Sequence, residues 1–176
     1  LKAIAHCRAP MDQWPDGPAC WGYRLWDEPP TKRFGDLAKK LSDLRKIRPG
    51  RLGDINLYPN YAQPRQMGVE TYEKYVELFL KTVDVDVLCM DHYPIFKPKH
   101  DTRHRYCNNL ATMRKFSLQK GIPFWNYFNT MPFGPHTDPT EAQIRWQVYT
   151  SIAYGAKGVI YFNYGTPLTA EFPKGG

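Results

Sequence analysis

An acidic pair, Asp27 and Glu28, lies in apolar and aromatic surroundings where a carboxyl group could transfer protons. Trp26 precedes the pair and Pro29 follows it. Such neighbours remove water from a carboxyl group, which raises its pKa toward the value that a proton donor needs at neutral pH. Glu28 is therefore a candidate for proton transfer. Adjacent side chains of an extended chain point to opposite faces, so Asp27 either lies beside Glu28 or turns to the outer layer of the fold.

A second carboxyl group with reactive neighbours is that of Asp91. His92 and Tyr93 follow it directly, and an apolar segment, residues 87–90, precedes it. An acid in this place is a candidate for a second catalytic carboxylate. Acids also commonly cap the turn after a strand, so the sequence leaves both roles open.

Aromatic and amide side chains supply the chemistry of sugar recognition. Ring faces stack on the C–H faces of pyranose rings, while phenol, indole and amide groups form hydrogen bonds with hydroxyls. The residues that we predict to bind a substrate in this way are Asp27, Trp26, Tyr58, Asn60, His92, Tyr93, Trp125, Asn126, Tyr127 and Tyr164. We assign three other aromatic residues to packing: Tyr23, Phe124 and Tyr161.

The elements that must position these groups are short segments rich in aromatic and β-branched residues. The predicted strands are Gly22–Trp26, Asp54–Tyr58, Val87–Met90, Pro123–Tyr127 and Gly158–Phe162. Successive strands start about 34 residues apart, close to the ~31 residues per unit of a typical (β/α)8 barrel. Polar and aromatic residues follow each strand, as they do at the C-terminal mouth of a barrel. The sequence therefore predicts an α/β fold that is a portion of a (β/α)8 TIM barrel.

Amphipathic segments between the strands predict helices and right-handed crossovers between parallel strands. The last of these helices has the clearest start, since Asp138 is placed as an N-cap and Glu141 as a capping acid. We expect its buried stripe to consist of Ile144, Val148 and Ile152. The apolar positions of the earlier helices are Phe34, Leu37, Leu41 and Leu44, then Tyr72, Tyr75, Phe79 and Val83, then Leu110, Met113 and Ser117.

Five strands do not close a barrel, and an open piece would leave two sheet edges unpaired. We therefore expect residues 1–176 to form a single partial barrel domain, a fragment of a longer catalytic domain. If the last predicted strand is the eighth, the chain supplies strands four to eight with their intervening helices. The missing half of the barrel then comes from the same chain or from another chain.

Three segments of the sequence resemble a known family. Gly22–Pro29, Asp91–Pro94 and Ala153–Phe162 are similar to the second half of clan-A-type glycoside hydrolase barrels, with the β-galactosidase-like and related polysaccharide-degrading members as the nearest comparison. The resemblance implies cleavage of a glycosidic bond in an oligo- or polysaccharide. In that family the acid/base glutamate ends the fourth strand, and the matching position here is Glu28. Asp27 stands where the family commonly has asparagine.

The resemblance does not supply a second catalytic acid. The family places a glutamate at the end of the seventh strand, and residues 123–130 contain none. Because a retaining mechanism needs two carboxyl groups about 5 Å apart, we rank Asp91 first, as nucleophile or as the base of an inverting pair. A substrate-assisted route through Asp27 and Glu28 stays open. So does a barrel that binds glycans without cleaving them.

A metal site is the rival chemistry. His100 and His104 are four residues apart, and Asp91, His92 and His136 could join them. The lysines and arginines around these histidines make the loop cationic, which disfavours a dication. We therefore predict no metal and no cofactor, and we keep a metal-dependent hydrolase as the third alternative. The same basic loop could attract an anionic sugar such as a uronate or a sulfated residue.

The composition of the chain limits the classes of partner that we expect it to bind. The chain carries 24 Lys and Arg against 17 Asp and Glu, a net charge of +7, but these charges are scattered rather than gathered on one face. We therefore predict no nucleic acid partner. The sequence has no uncharged apolar run of about 18 residues, so we predict no membrane span. Polysaccharide degradation favours export, so we expect a secreted or periplasmic protein.

Overall fold

Strands and helices alternate along the part of the chain that the structure describes. The computed structural model describes residues 3–6, 9–97 and 103–162. The strands are β1 Ala3–Ala5, β2 Cys20–Asp27, β3 Leu52–Leu57, β4 Leu88–Asp91, β5 Phe124–Asn129 and β6 Gly158–Phe162. The helices are α1 Phe34–Ile47, α2 Pro64–Met67, α3 Tyr72–Thr82, α4 Arg103–Lys120 and α5 Glu141–Ala153, and short 3-10 turns cover Met11–Gln13 and Thr31–Arg33.

The strands follow one another in the sheet in chain order. β1 pairs with β2, β2 with β3, and β5 with β6, each in parallel. Parallel neighbours in chain order, joined by helical crossovers, confirm the predicted α/β fold as a portion of a (β/α)8 barrel. The described residues divide into two compact units, one within residues 1–58 and 62–89 and the other within residues 59–61 and 90–162.

In the first unit, helix α1 packs on one face of β2 and β3. Its buried positions are the predicted Phe34, Leu37, Leu41 and Leu44. A methyl group at Gly53 would collide with the side chains of Leu41 and Leu25, so a glycine is required for this close approach. Because side chains alternate along a strand, the neighbouring Asp54 faces away from α1. The polar groups of β2 and β3 thus share the opposite face.

Helix α3 packs next to α1 in the same unit. The Thr71 hydroxyl caps its start by accepting from the Lys74 amide. Tyr75 and Phe79 are buried, and their rings lie 5.4 and 5.2 Å from that of Phe34. This aromatic contact fixes α3 beside the strand ends that carry Glu28 and Tyr58.

In the second unit, α4 and α5 flank β5. The Tyr106 hydroxyl of α4 donates to the Gln147 carbonyl of α5 at 2.9 Å. The Asn126 amide of β5 donates to the Tyr106 hydroxyl at 2.9 Å and to the Ser151 hydroxyl at 3.1 Å. Polar groups therefore replace part of the apolar contact between this strand and its helices.

Three expectations about local structure are wrong. The N-cap of α5 is Thr140, which exchanges hydrogen bonds with Gln143, rather than Asp138. Ile152 is 53% exposed, and the buried positions of α5 are Gln147 and Ser151 because these residues bond to Tyr106 and its neighbours. Tyr161 is 58% exposed rather than buried, although its ring lies 4.7 Å from that of Phe128. β6 stands last in the strand order, so the described part of the chain places no further strand beside it.

One strand was not predicted. β1 comprises only Ala3–Ala5, and its residues carry little of the aromatic and β-branched signal that marks the other strands. Among the described residues, no helix is long and apolar enough to cross a membrane.

Candidate functional site

Glu28 stands directly after the last residue of β2, in a backbone conformation that side-chain-bearing residues avoid. Its φ is +48°, and it is the only non-glycine residue with positive φ in the described part of the chain. Its amide donates to the carbonyl of Asn56 at 2.8 Å, which continues the pairing of β2 with β3 by one residue. A left-handed conformation costs an L-residue about 1–2 kcal/mol, and such strain is concentrated at functional sites.

The carboxyl group of Glu28 has a pKa close to neutral pH. Burial raises its pKa from 4.5 to about 7, and the negative charge of Asp27 adds to the rise. A group with this pKa is present in both protonation states near pH 7. That is the condition for a general acid that must later act as a base.

Asp27 lies on the polar face of the sheet rather than in the outer layer. Its Oδ1 accepts from Arg24 Nη1 at 3.1 Å and from Asn56 Nδ2 at 2.9 Å. The side chain is still 66% exposed. The structure therefore keeps Asp27 in the neighbourhood of Glu28 with one oxygen bonded to protein donors.

A buried ion pair supports this face. Arg24 Nε donates to Asp54 Oδ2 at 2.5 Å, and the side chain of Asp54 is almost fully buried. Arg24 therefore joins Asp54 on β3 to Asp27 on its own strand. Removing one partner of a buried pair leaves an uncompensated charge, so this contact holds the position of the arginine firmly.

Helix α3 contributes a tyrosine that ties together the segments after β2 and β3. The Tyr75 hydroxyl donates to the carbonyl of Pro29 at 2.6 Å and accepts from the amide of Tyr58. Tyr75 is fully buried. Because Pro29 follows Glu28 directly, this contact restrains the backbone of the acid.

Two predicted aromatic residues, Trp26 and Tyr58, belong to the same unit as Glu28. Trp26 is 38% exposed, and the guanidinium of Arg33 lies 5.4 Å from its ring centroid. Tyr58 is half-buried, with its ring 6.0 Å from that of Tyr75. The structure thus gathers Trp26, Asp27, Glu28 and Tyr58 in one unit.

In the second unit, Asp91 is the last residue of β4 and is buried. Its predicted role as the second carboxylate stays a prediction. His92, the next residue, is fully buried and bonds through Nδ1 to Asn109 Oδ1 at 2.9 Å. The same oxygen accepts the amide of Asn60 at 2.8 Å, so Nδ1 carries the hydrogen and Nε2 is left as an acceptor.

His92 is neutral in this environment. Burial is the main reason that its pKa falls to about 4. Its ring packs edge-on against Tyr61 at 5.0 Å and Tyr106 at 5.2 Å. Asn60 also donates from Nδ2 to the Arg105 carbonyl at 3.0 Å. The structure therefore brings two predicted residues, Asn60 and His92, together at Asn109.

The remaining predicted residues of this unit lie on or after strands. Tyr93 packs in an aromatic cluster with Phe133 at 5.1 Å and Phe162 at 5.2 Å. Trp125 is half-buried and Tyr127 is buried. The fully buried Asn126 is bonded to α4 and α5 as described above, so its role in a sugar subsite stays a prediction. Tyr164 lies outside the described residues.

The rival metal site gains no support from the residues that are described. No group of three or more His, Cys, Asp and Glu side chains among them could hold a metal ion. His100 lies outside the described residues. His136 is buried among aromatic rings, and this burial lowers its pKa to about 4.

Four supporting residues were not predicted as part of the site: Arg24, Asp54, Tyr75 and Asn109. Arg24 and Asp54 each lie inside a strand, and charged residues are rarely buried unless they are paired. That pattern could have indicated a buried ion pair. Nothing in the helical pattern of Tyr75 separates it from an ordinary packing residue.

Comparison with known proteins gives a likeness of fold. No family model matches the sequence, and no curated protein sequence matches it. The chain is similar to the solved structure of a putative alpha-L-fucosidase from Bacteroides thetaiotaomicron, with a TM-score of 0.59 and 10% identity over 89% of this chain and 52% of that chain. It is also similar to a hyperthermophilic endo-beta-1,4-glucanase solved with its substrate, with a TM-score of 0.52 and 12% identity over 88% of this chain and 54% of that chain. The chain spans about half the length of each, and it shares the fold of that part of these glycoside hydrolases.

Proposed function

We propose that this chain is part of a glycoside hydrolase in which Glu28 is the general acid/base. The proposal is supported above all by the position, the backbone conformation and the raised pKa of Glu28. It follows a barrel strand, it is held at φ +48°, and burial raises the pKa of its carboxyl group to about 7. Protonated Glu28 would donate to the leaving glycosidic oxygen, and its carboxylate would then take a proton from the attacking water.

A sugar is the substrate that fits the surroundings of Glu28 best. Trp26 offers a partly exposed indole ring, and Asp27 keeps a largely exposed carboxylate. Rings and oxygen acceptors are the groups that bind pyranose faces and hydroxyls. The likeness of fold to two glycoside hydrolases supports the same class.

Asp91 is our candidate for the second carboxylate. It ends a strand, as Glu28 nearly does, and it is buried. It would act as nucleophile in a retaining reaction or as base in an inverting one. If it is the nucleophile, Asp91→Ala loses turnover and regains part of it with azide as a substitute nucleophile.

The other predicted residues would shape the sugar subsites. The substrate itself could be anionic. Lys97, Arg103 and Arg105 are exposed near the end of β4 and the start of α4, and such charges attract anions at low salt. Stronger binding of a uronate-containing glycan than of its neutral counterpart, weakening as salt rises, would support this part. Equal binding of both glycans at every salt concentration would contradict it.

A complete (β/α)8 barrel needs more strands than the described part of the chain contains. β1 and β6 stand at the two ends of the strand order, and the chain spans only about half the length of each solved structure that it resembles. We propose that further β/α units, from the same polypeptide or another, complete the barrel. Action on a polysaccharide would also suit a secreted or periplasmic location.

The test uses this chain, together with any longer native polypeptide that contains it, on a panel of glycans. The parent is expected to release sugar, and Glu28→Gln is expected to lose turnover while keeping glycan affinity. A parent that binds glycans without turnover would indicate a non-catalytic binding module. Turnover abolished by a chelator and restored by a divalent metal would indicate the metal-dependent alternative.

A further inference from the structure

A cavity of about 580 Å³ lies where the last turns of α4 and α5 meet the start of β5, within the second unit. Pockets that hold small organic ligands measure roughly 300–1,000 Å³, so this one is large enough for such a ligand. It adjoins the amino ends of β5 and β6, whereas Glu28 follows β2 and Asp91 ends β4 at their carboxyl ends. The cavity is therefore no part of the site proposed for glycan cleavage.

The body of the cavity is apolar. Leu118 is 67% exposed, although the helix buries the neighbouring Phe116 and Ser117. A single exposed leucine needs no explanation, but several apolar side chains around one cavity form a surface that a ligand can remove from water. The apolar residues that line it are Leu118, Ile122, Pro123 and Phe124.

Two cations line the same cavity, Arg114 on α4 and Lys157 just before β6. Nη1 of Arg114 donates to the carbonyl of Tyr154 at 3.2 Å. A Cβ at Gly155 would lie only 2.7 Å from that nitrogen, so the absence of a side chain there lets the guanidinium lie against the turn after α5. The amide of Lys157 donates to the carbonyl of Phe124 at 2.9 Å. The contacts therefore fix the guanidinium of Arg114 and the backbone of Lys157 beside the cavity.

The charge at the cavity stays positive when the helix ends are counted. α4 ends at Lys120 and α5 at Ala153, and the C-terminus of a helix is equivalent to about half a negative charge. Two such ends offset about one of the two positive charges of Arg114 and Lys157. None of the described residues that line the cavity is acidic. A ligand that fills the cavity is therefore expected to be an anion.

We propose that this cavity binds a small organic monocarboxylate with an aromatic or aliphatic body. The carboxylate lies between Arg114 and Lys157, and the body packs on Leu118 and Ile122. A guanidinium has five N–H donors in a planar fork that matches a carboxylate, and the contact with the Tyr154 carbonyl uses only one of them. Such a site is a second function of the chain, independent of any reaction at Glu28.

The test uses phenylbutyrate, which joins a carboxylate to an aromatic ring. Phenylbutyramide has the same shape without the charge, and acetate has the charge without the ring. Arg114→Gln and Lys157→Gln each remove one cation from the cavity. The matched control is Lys115→Gln, because Lys115 follows Arg114 on α4, is exposed and is not part of the lining. Leu118→Glu places a negative charge on the cavity wall at a position that is already mostly exposed.

Binding is measured by proton–nitrogen NMR titration of the whole chain, followed through the amides of Gly121 and Gly155, which line the cavity. Phenylbutyrate is expected to bind at least about 10-fold more tightly than phenylbutyramide or acetate. Its affinity should fall about 10- to 100-fold in Arg114→Gln, about 3- to 10-fold in Lys157→Gln and about 10-fold or more in Leu118→Glu. Lys115→Gln should change it less than about 2-fold.

Several results would overturn the proposal. They are no binding of phenylbutyrate at roughly 10 mM, equal binding of phenylbutyramide, and equal weakening by Lys115→Gln and Arg114→Gln. Shifts that spare Gly121 and Gly155 would also overturn it, because they would place the ligand elsewhere. Far-UV circular dichroism checks that each variant is folded, and Leu118→Glu gives the answer if a cation variant is not. The titration involves neither a glycan nor Glu28, so its failure leaves the proposed glycan cleavage untouched, and failure of the cleavage test leaves this site intact.

Discussion

The raised pKa of Glu28 has a consequence for stability that can be measured without any substrate. An acid whose pKa is higher in the folded state holds its proton there when the unfolded chain has already released it. The folded state then binds more protons than the unfolded state, so the free energy of unfolding falls as pH rises. For Glu28 the fall begins near its ordinary pKa of 4.5 and is complete once pH has passed about 7.

The size of the effect follows from the shift. A change from 4.5 to about 7 corresponds to roughly 3 kcal/mol if none of it is screened by solvent. Glu28 is only partly buried, so we expect about 1–2 kcal/mol to remain. Glu28→Gln carries no charge at any pH, so this penalty disappears in the variant. It should match the parent near pH 4 and exceed its stability by about 1–2 kcal/mol at pH 8.

Urea unfolding of the parent and Glu28→Gln at intervals from pH 4 to pH 8 measures this difference directly. Glu73→Gln serves as the control, because Glu73 is an exposed glutamate in the first turn of α3. Its loss should cost up to about 1 kcal/mol through the helix dipole. A difference between Glu28→Gln and the parent that stays constant across this range would refute the reasoning.

Three further substitutions test the local geometry by urea unfolding at pH 5, where Glu28 is largely protonated. Glu28→Gly should be more stable than Glu28→Ala by about 1 kcal/mol, because glycine accepts φ +48° without strain, and the reverse order would argue against that backbone. Tyr75→Phe should cost about 1–2 kcal/mol, since the carbonyl of Pro29 and the amide of Tyr58 both lose their hydroxyl partner, and an unchanged midpoint would mean that water replaces it. Gly53→Ala should cost about 1–3 kcal/mol through collision with Leu41, and a neutral result would show that α1 can move away.

The strand positions could be predicted because barrel strands carry their signal locally. The aromatic and β-branched segments at residues 22–26 and 158–162 fall inside β2 and coincide with β6. β1 could not be found in this way, because three residues with two alanines give no such pattern. Its strand character comes from pairing with β2, which is a non-local contact.

The errors in α5 have a different origin. Asp138-Pro139 is a good local start signal, but Thr140 and Gln143 form a complete capping box two residues later and determine the start. The buried face of the helix then carries Gln147 and Ser151, because β5 and α4 offer polar partners there. Hydrophobic periodicity cannot anticipate a polar interface of this kind.

The same distinction between local and non-local features applies to the candidate site. The place of Glu28 after a strand and the apolar character of its neighbours are local features, and the sequence predicted both. The hydrogen bond between Asn56 and Asp27 joins residues about 30 positions apart on two strands. The contact of His92 with Asn109 joins a strand end to a helix. Such contacts depend on strand register and helix placement, which single-sequence patterns do not determine.

The most direct test of Glu28 as the acid/base is a series of aryl glycosides of one sugar whose leaving phenols differ in acidity. A leaving group that is already acidic departs without a proton donor, whereas a weakly acidic one depends on it. We predict that Glu28→Gln keeps most of its kcat/KM on the most acidic phenol and loses about 100-fold or more on the least acidic. An equal loss along the whole series, or no loss at all, would contradict the assignment of Glu28 as proton donor.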